Sequence, residues 1–258
     1  MHLKMFIDTH THYYDEMFEG EGDAAVRRAV EAGVGKMIQA DVDSSERDAM
    51  FEIGSRWEGV LYQMAGLYPG SVRGDWELEI EKMLPYTGKG VVAIGEIGLD
   101  YHEGTEFKQE QKKALRVQLE LASRLDLPVN IHLRDAWEDF LGVLSECSHL
   151  GLRGNLHCFS GSWETFLRTN RYGDFSVGIG GVVTFKNASL AETVKKIPME
   201  KILLETDCPY LAPVPHRGKR CESAFIPLIA AKIAQQKGIS LEEVESLTTD
   251  NALKLFKL

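Results

Sequence analysis

Eight short, largely apolar runs recur along this chain, at residues 5–7, 36–40, 60–65, 91–95, 129–131, 155–156, 175–179 and 202–204. Runs that are continuous rather than alternating read as strands buried on both faces, the habit of parallel sheets. Helical stretches lie between them. Over 106–124, Phe107, Leu115, Leu119 and Ala122 recur at helical spacing, with Lys and Glu on the other side. Residues 23–32 form a shorter candidate that ends at Gly33, and 222–236 and 241–256 form two more. Strand and helix in alternation predict a parallel sheet, and eight repeats predict a closed barrel. The 258 residues suit the roughly 250 typical of that barrel. An open doubly wound sheet is the alternative. With no linker or low-complexity tract, the expectation is α/β: a single-domain TIM (β/α)8 barrel over residues 1–258.

Charge limits the partners. The chain carries 39 acids against 29 bases, a net charge of −10. A protein that wraps duplex DNA non-specifically presents a basic surface, so extensive backbone wrapping is excluded. A confined site can still take a phosphate, because nearby charge outweighs distant charge. Cys147, Cys158, Cys208 and Cys221 show no C-x-x-C spacing and read as free thiols. Neither a signal-peptide core nor a transmembrane run is present in the sequence, so the expected location is cytoplasmic, with no membrane contact. Monomer is the default state.

Polar residues of an uncommon kind follow the runs. Asp8-Thr9-His10-Thr11-His12 comes after the first, and His10 and His12, two apart on an extended chain, point to one face. Glu96 follows the fourth run, His132 the fifth, His157 the sixth and Asp207 the eighth. In a barrel all of these lie at the C-terminal mouth. Four imidazoles and two carboxylates exceed the three protein ligands of one catalytic zinc, and two metals sharing a carboxylate would use all six. Such donors tolerate several ions, so one or two divalent metals (Mg, Mn or Zn) are expected without a choice among them. Taken singly, a histidine after a strand is more often a hydrogen-bonded core residue, and Glu96 could cap a helix. The six together are not readily explained that way.

Other features weigh less. His2, His102, His149 and His216 fall outside the pattern. His2 is expected to be solvated, His102 to lie on the surface and His149 to be structural. Cys158 and Cys208 are expected to pack behind His157 and Asp207. Gly178-Ile179-Gly180-Gly181 lacks the order of a phosphate loop and suggests close backbone approach. Arg217-Gly218-Lys219-Arg220 is the densest basic cluster and could fold back over the mouth. Arg134, two residues past His132, would share its side of the chain.

These residues resemble the TatD family of metal-dependent deoxyribonucleases. The resemblance is carried by Ile7-Asp8-Thr9-His10-Thr11-His12, Gly95-Glu96-Ile97-Gly98-Leu99-Asp100-Tyr101, Ile131-His132-Leu133-Arg134-Asp135-Ala136 and His157-Cys158-Phe159-Ser160-Gly161. Glu205-Thr206-Asp207-Cys208-Pro209-Tyr210 and its basic tail extend it, in order, along nearly the whole chain. It implies an amidohydrolase-type barrel that cleaves phosphodiester bonds in DNA, often from a 3′ end. It places metal ligands at His10, His12, Glu96, His132, His157 and Asp207, with Glu96 bridging. Asp207 and Glu96 are the expected catalytic residues, Asp207 accepting a proton from water. Arg134, Tyr68, Lys219 and Glu205 are expected on the substrate side, Glu205 also orienting a ligand histidine, as Asp8 could. One departure stands out: where the family commonly has Gly-Leu-His-Pro, this chain reads Gly66-Leu67-Tyr68-Pro69. Tyrosine donates a hydrogen bond but carries no positive charge at neutral pH. Cys221 and Ser223 also stand where Asn and Pro are usual in the family. The expected partner is DNA or another nucleotide-containing substrate, bound transiently. The alternative is an esterase or amidase on the same barrel, acting on an ester-linked substrate such as a misacylated tRNA. A non-catalytic metal-binding protein is a further alternative.

Overall fold

The computed structural model describes residues 5–102, 104–186 and 189–258; His2 lies outside them. The strands are β1 (Phe6–Thr11), β2 (Val34–Gln39), β3 (Leu61–Gln63), β4 (Ile94–Asp100), β5 (Val129–Arg134), β6 (Arg153–Leu156), β7 (Asp174–Ile179) and β8 (Ile202–Leu204). The helices are α1 (Gly22–Glu31), α2 (Arg47–Arg56), α3 (Trp76–Thr87), α4 (Lys108–Arg124), α5 (Trp137–Glu146), α6 (Trp163–Thr169), α7 (Leu190–Lys196), α8 (Ile226–Lys237) and α9 (Leu241–Phe256).

Two parallel ladders run β1-β2-β3 and β4-β5-β6-β7-β8. Two short parallel bridges, Thr11 with Cys208 and Ala65 with Ile94, join them into a ring. At the first seam Thr9 Oγ1 also donates to the Leu204 carbonyl. The result is a TIM barrel with its helices outside. The open doubly wound alternative fails, because an open sheet leaves two unpaired edges.

The two ends of the barrel differ. At the N-terminal end Ile7, Ile38, Met64, Ala93 and Leu203 fill the interior, and Ala252 and Phe256 of α9 pack against them. Helix α9 is fixed there by Thr249, whose hydroxyl donates to the Met5 carbonyl, and by Asn251, whose amide donates to the carbonyls of Met199 and Ile202. Ser240 and Glu243 form a capping box at its start. The C-terminal end is left for polar side chains.

Some expected boundaries shift. The fourth strand, β4, begins at Ile94 and continues to Asp100. Glu96 therefore sits inside β4, as His10 sits inside β1 and His132 inside β5, instead of after the strands. The pairing steps from Ile94↔Val129 to Ile97↔Ile131, three residues against two. Such a bulge re-aims a side chain, here that of Glu96. A similar step, from Asp8↔Met37 to Thr11↔Gln39, spans His10. The ladder continues past the apolar runs because backbone pairing follows the neighbouring strand and does not require apolar side chains. Residues 222–236 also begin late: Ser223–Phe225 forms a 3-10 turn and α8 starts at Ile226, with proline in its first turn.

Candidate metal centre

Six side chains meet at the C-terminal mouth. His10 and His12 approach through their Nε2 atoms at 3.1 Å. Glu96 turns its two carboxylate oxygens in different directions. Its Oε2 lies 3.3 Å from His10 Nε2 and 3.9 Å from His12 Nε2. Its Oε1 lies 2.8 Å from His132 Nδ1 and 3.8 Å from His157 Nε2. Asp207 Oδ1 closes the group at 3.7 Å from His10, 3.5 Å from His12 and 3.7 Å from His157. Among the described residues, three triads bring donor atoms within 4.8 Å of one another: His10, His12, Glu96; His10, His157, Asp207; and Glu96, His132, His157.

Each imidazole is held from behind by an oxygen. His10 Nδ1 is 2.9 Å from Asn130 Oδ1. His12 Nδ1 is 2.8 Å from the Tyr14 hydroxyl, which itself donates to the Ala40 carbonyl. Tyr14 thus accepts from His12. His132 Nε2 is 2.8 Å from Asp100 Oδ2. His157 Nδ1 is 3.0 Å from Glu205 Oε1, an ionic contact rather than an aligned hydrogen bond. An outer oxygen of this kind holds the proton on the far nitrogen and turns the inner lone pair toward a cation. Four imidazoles so arranged around two carboxylates have the chemistry of a divalent-metal site.

The charges in the group depend on one another. Burial alone would raise the Glu96 carboxyl, but the imidazoles of His10, His132 and His157 outweigh it and hold Glu96 well below the usual carboxylate range. Burial likewise opposes ionisation of Asp207, yet His157, His12 and His10 keep it low. Burial disfavours a charged His132, but Asp100 and Glu96 push it up to about 9. His157 is pushed up to about 10 by Glu205 and Asp207 against the same burial. His10, fully buried and stacked 3.4 Å from the His157 ring, is lowered by burial and by His157.

The local backbone explains how Glu96 is held. The Asp41 amide donates to the Gly95 carbonyl, and the Glu96 amide donates to the Asp41 carbonyl. Asp41 Oδ2 accepts from Arg47 Nε at 2.6 Å and from the Gly66 amide at 3.0 Å, while Arg47 also donates to the Gly66 carbonyl. A side chain at Gly66 would strike the Gly95–Glu96 peptide 2.6 Å away, so only glycine lets these backbones pack. Asp207 itself adopts a left-handed backbone, φ 61°.

The residues expected on the substrate side are dispersed. Tyr68 stands over the cluster, its ring edge-on to His132 at 4.9 Å and its hydroxyl 3.4 Å from Asp100. Arg134 is exposed at the end of β5. Lys219 is exposed on the loop after β8, its amide bonded to the His216 carbonyl. Of the two roles expected for Glu205, orienting a ligand histidine agrees with its contact with His157, and a place on the substrate side requires correction. Glu205 is fully buried, contacts His157 and accepts from Asn155 and the Cys158 amide. It therefore braces the cluster from below and does not face substrate. Gly178 leaves room for its carboxylate, because a Cβ there would overlap it.

Nor does the basic loop cover the mouth as one unit. Arg220 pairs with Glu21 and Glu222 and lies over the Phe18 ring, and Arg217 lies over Phe185. Asp8 accepts from Thr206 and Ser223 and so ties β1 to the segment after β8. His102 is half-exposed against Asp135, and His149 lies in a 3-10 turn. Cys208 is buried, 3.9 Å from the Ser223 hydroxyl.

Sequence reasoning missed Tyr14, Asn130, Asp100, Asp41 and Arg47. Two of these carried a signal. Asn130 interrupts an apolar buried strand two residues before His132, and Asp100 lies four residues after Glu96 on the same strand.

Comparisons with known proteins agree with this geometry. The family model described as TatD related DNase matches residues 7–257. The metal-dependent hydrolase YabD of Bacillus subtilis is 36% identical over 256 residues, covering 98% of this chain and 100% of that protein. The 3'-5' ssDNA/RNA exonuclease TatD of Pantoea ananatis is 33% identical over 249 residues, covering 93% and 95%. The solved structure of YJJV, a TatD homologue from Escherichia coli, superposes with a TM-score of 0.91 at 28% identity, covering 99% of each chain.

Proposed function

The chain belongs to the TatD-related DNase family of metal-dependent hydrolases, and from that premise we propose that it hydrolyses phosphodiester bonds at the 3′ ends of DNA. One observation carries the reading: Glu96 divides its two oxygens between the His10–His12 pair and the His132–His157 pair, with Asp207 opposite. A carboxylate so placed can serve two ions at once. His10, His12, Glu96 and Asp207 would hold one, and Glu96, His132 and His157 the other. When bound, divalent ions would acidify a water and draw charge from the phosphate.

The chain's own groups supply the remaining steps. Asp207, kept ionised by its neighbouring imidazoles, accepts the proton of the attacking water. Arg134, at the rim, supplies positive charge to a phosphate. Tyr68 donates its hydroxyl to the same group. The relative named as a 3'-5' ssDNA/RNA exonuclease supports an end-directed reaction on single strands.

The test is a digest of 3′- and 5′-labelled single-stranded and double-stranded DNA. Shortening from the 3′ end that stops with chelator and returns with Mg²⁺, Mn²⁺ or Zn²⁺ is the expected result. An ester-linked substrate is the second reading, favoured by Tyr68, which offers no positive charge to a phosphate. Turnover of esters or lactones without phosphodiester cleavage would replace the first reading with the second.

A further inference from the structure

Two cavities border the cluster, and their chemistry differs. The larger, about 780 Å³, is lined by Tyr14, which bonds His12, and by six carboxylates, Asp15 and Glu46 among them, against one guanidinium, Arg56. A wall of that sign repels a polyanion at short range. The smaller, about 230 Å³, is lined by Tyr68 and Asp100, which both contact His132, and by Arg73, Glu106 and Phe107. The Arg73 guanidinium lies 5.5 Å over the Phe107 ring. Its Nη1 donates to the carbonyls of Gly70 and Val72, both at 2.8 Å, which fixes its plane.

We propose that this smaller cavity is a subsite for the nucleobase of the nucleotide at the reacting end. The proposal rests on the nuclease reading above. Two residues of its wall, Tyr68 and Asp100, contact His132, which puts the cavity one side chain away from the cluster where the phosphate would react. Its volume is below the roughly 300–1,000 Å³ of sites for drug-sized ligands and suits one flat ring system. Two carboxylates, Asp100 and Glu106, face one guanidinium there, so a second phosphate is disfavoured and a neutral group is favoured. A guanidinium held over an aromatic ring, its other face open to solvent, offers a plane on which bases stack with little regard to sequence.

The experiment compares two single-stranded oligonucleotides, one with a normal 3′-terminal nucleotide and one abasic at that position. With metal-loaded enzyme, wild type is expected to favour the normal end about 5- to 100-fold in kcat/KM, the range of one base stack. Phe107→Ala and Arg73→Ala are each expected to shrink that preference toward one. Arg73 is exposed, so its truncation tests the subsite even if Phe107→Ala does not fold. Wild type that cuts both ends equally overturns the subsite and leaves the nuclease reading intact, as does a preference unchanged in both variants. Wild type that cuts neither end with any metal overturns both.

Discussion

Oε1 of Glu205 lies 3.0 Å from Nδ1 of His157, on the side of the ring opposite the nitrogen that faces Glu96 and Asp207. A buried carboxylate in this place fixes both the orientation of the imidazole and which nitrogen it offers inward. Glu205→Gln keeps the shape and removes the charge. Metal affinity is expected to fall about 10- to 100-fold, with the far-UV circular dichroism unchanged. Titration with Zn²⁺ against a competing chelator measures it, and an unchanged affinity would deny Glu205 this role.

Proton release should accompany metal uptake. Without a metal, Asp100 and Glu96 push His132 up to about 9, and Glu205 and Asp207 push His157 up to about 10, against their burial, which favours the charged forms at pH 7. Both values lie above the ordinary histidine range. Their contribution to stability is therefore complete below about pH 6.5 and is lost as pH rises through 9 to 10. A bound cation displaces these protons, so metal affinity should increase from pH 6 to pH 9. Calorimetry in buffers of different ionisation enthalpy should detect about one to two protons released per molecule at pH 7. A heat independent of buffer would contradict this.

Arg47 and Asp41 form a buried pair that also bonds Gly66, while the Asp41 backbone bonds the Gly95–Glu96 peptide. Burial raises the Asp41 carboxyl to about 7 despite Arg47, so Arg47→Met leaves a buried carboxyl that takes up a proton and loses its partner, at an expected cost of about 1–3 kcal/mol of stability. The double variant Arg47→Met with Asp41→Leu should recover part of that loss. Urea unfolding of the metal-free proteins separates the cases, and a loss within about 0.5 kcal/mol, the range of ordinary surface changes, would mean that the pair holds nothing.

Tyr68→Phe removes only a hydroxyl near Asp100. If that hydroxyl donates to the phosphate, kcat/KM on DNA should fall about 2- to 10-fold. Identical kinetics for the two proteins would restrict Tyr68 to the contact of its ring with His132.

Asp207→Asn keeps an oxygen beside His10, His12 and His157 but cannot accept a proton. Turnover should fall by about 100-fold or more, with the fold retained. Full activity would remove Asp207 from the proton transfer.

The barrel was legible because a run such as 175–179 admits few readings other than a buried strand. The six converging side chains were legible because each lies at a fixed place relative to such a run. Glu205, two residues before Asp207, was rightly expected behind a ligand histidine, but its second expected place, on the substrate side, failed for a local reason. The rule that residues two apart share a face holds only while the chain stays extended, and Asp207 leaves that state with φ 61°. Arg47 was overlooked because a charged residue in a helix reads as solvated, whereas its partner Asp41 comes from the loop after β2 and draws it inward. Tyr14 was overlooked because nothing in its neighbourhood announces that its hydroxyl will reach back to His12.

The ring closes where Thr11 meets Cys208, beside His12 and Asp207, and Thr9 reaches Leu204 across 195 residues. A chain leaving the ribosome therefore carries His10, His12 and Glu96 long before Asp207 exists. The set of His10, His12, Glu96 and Asp207 stays incomplete until the last strand docks, whereas Glu96, His132 and His157 are all present once the chain has passed β6. Completion of one of the two donor sets thus waits for the final stage of synthesis, and a product truncated before Asp207 lacks the residue assigned to proton transfer.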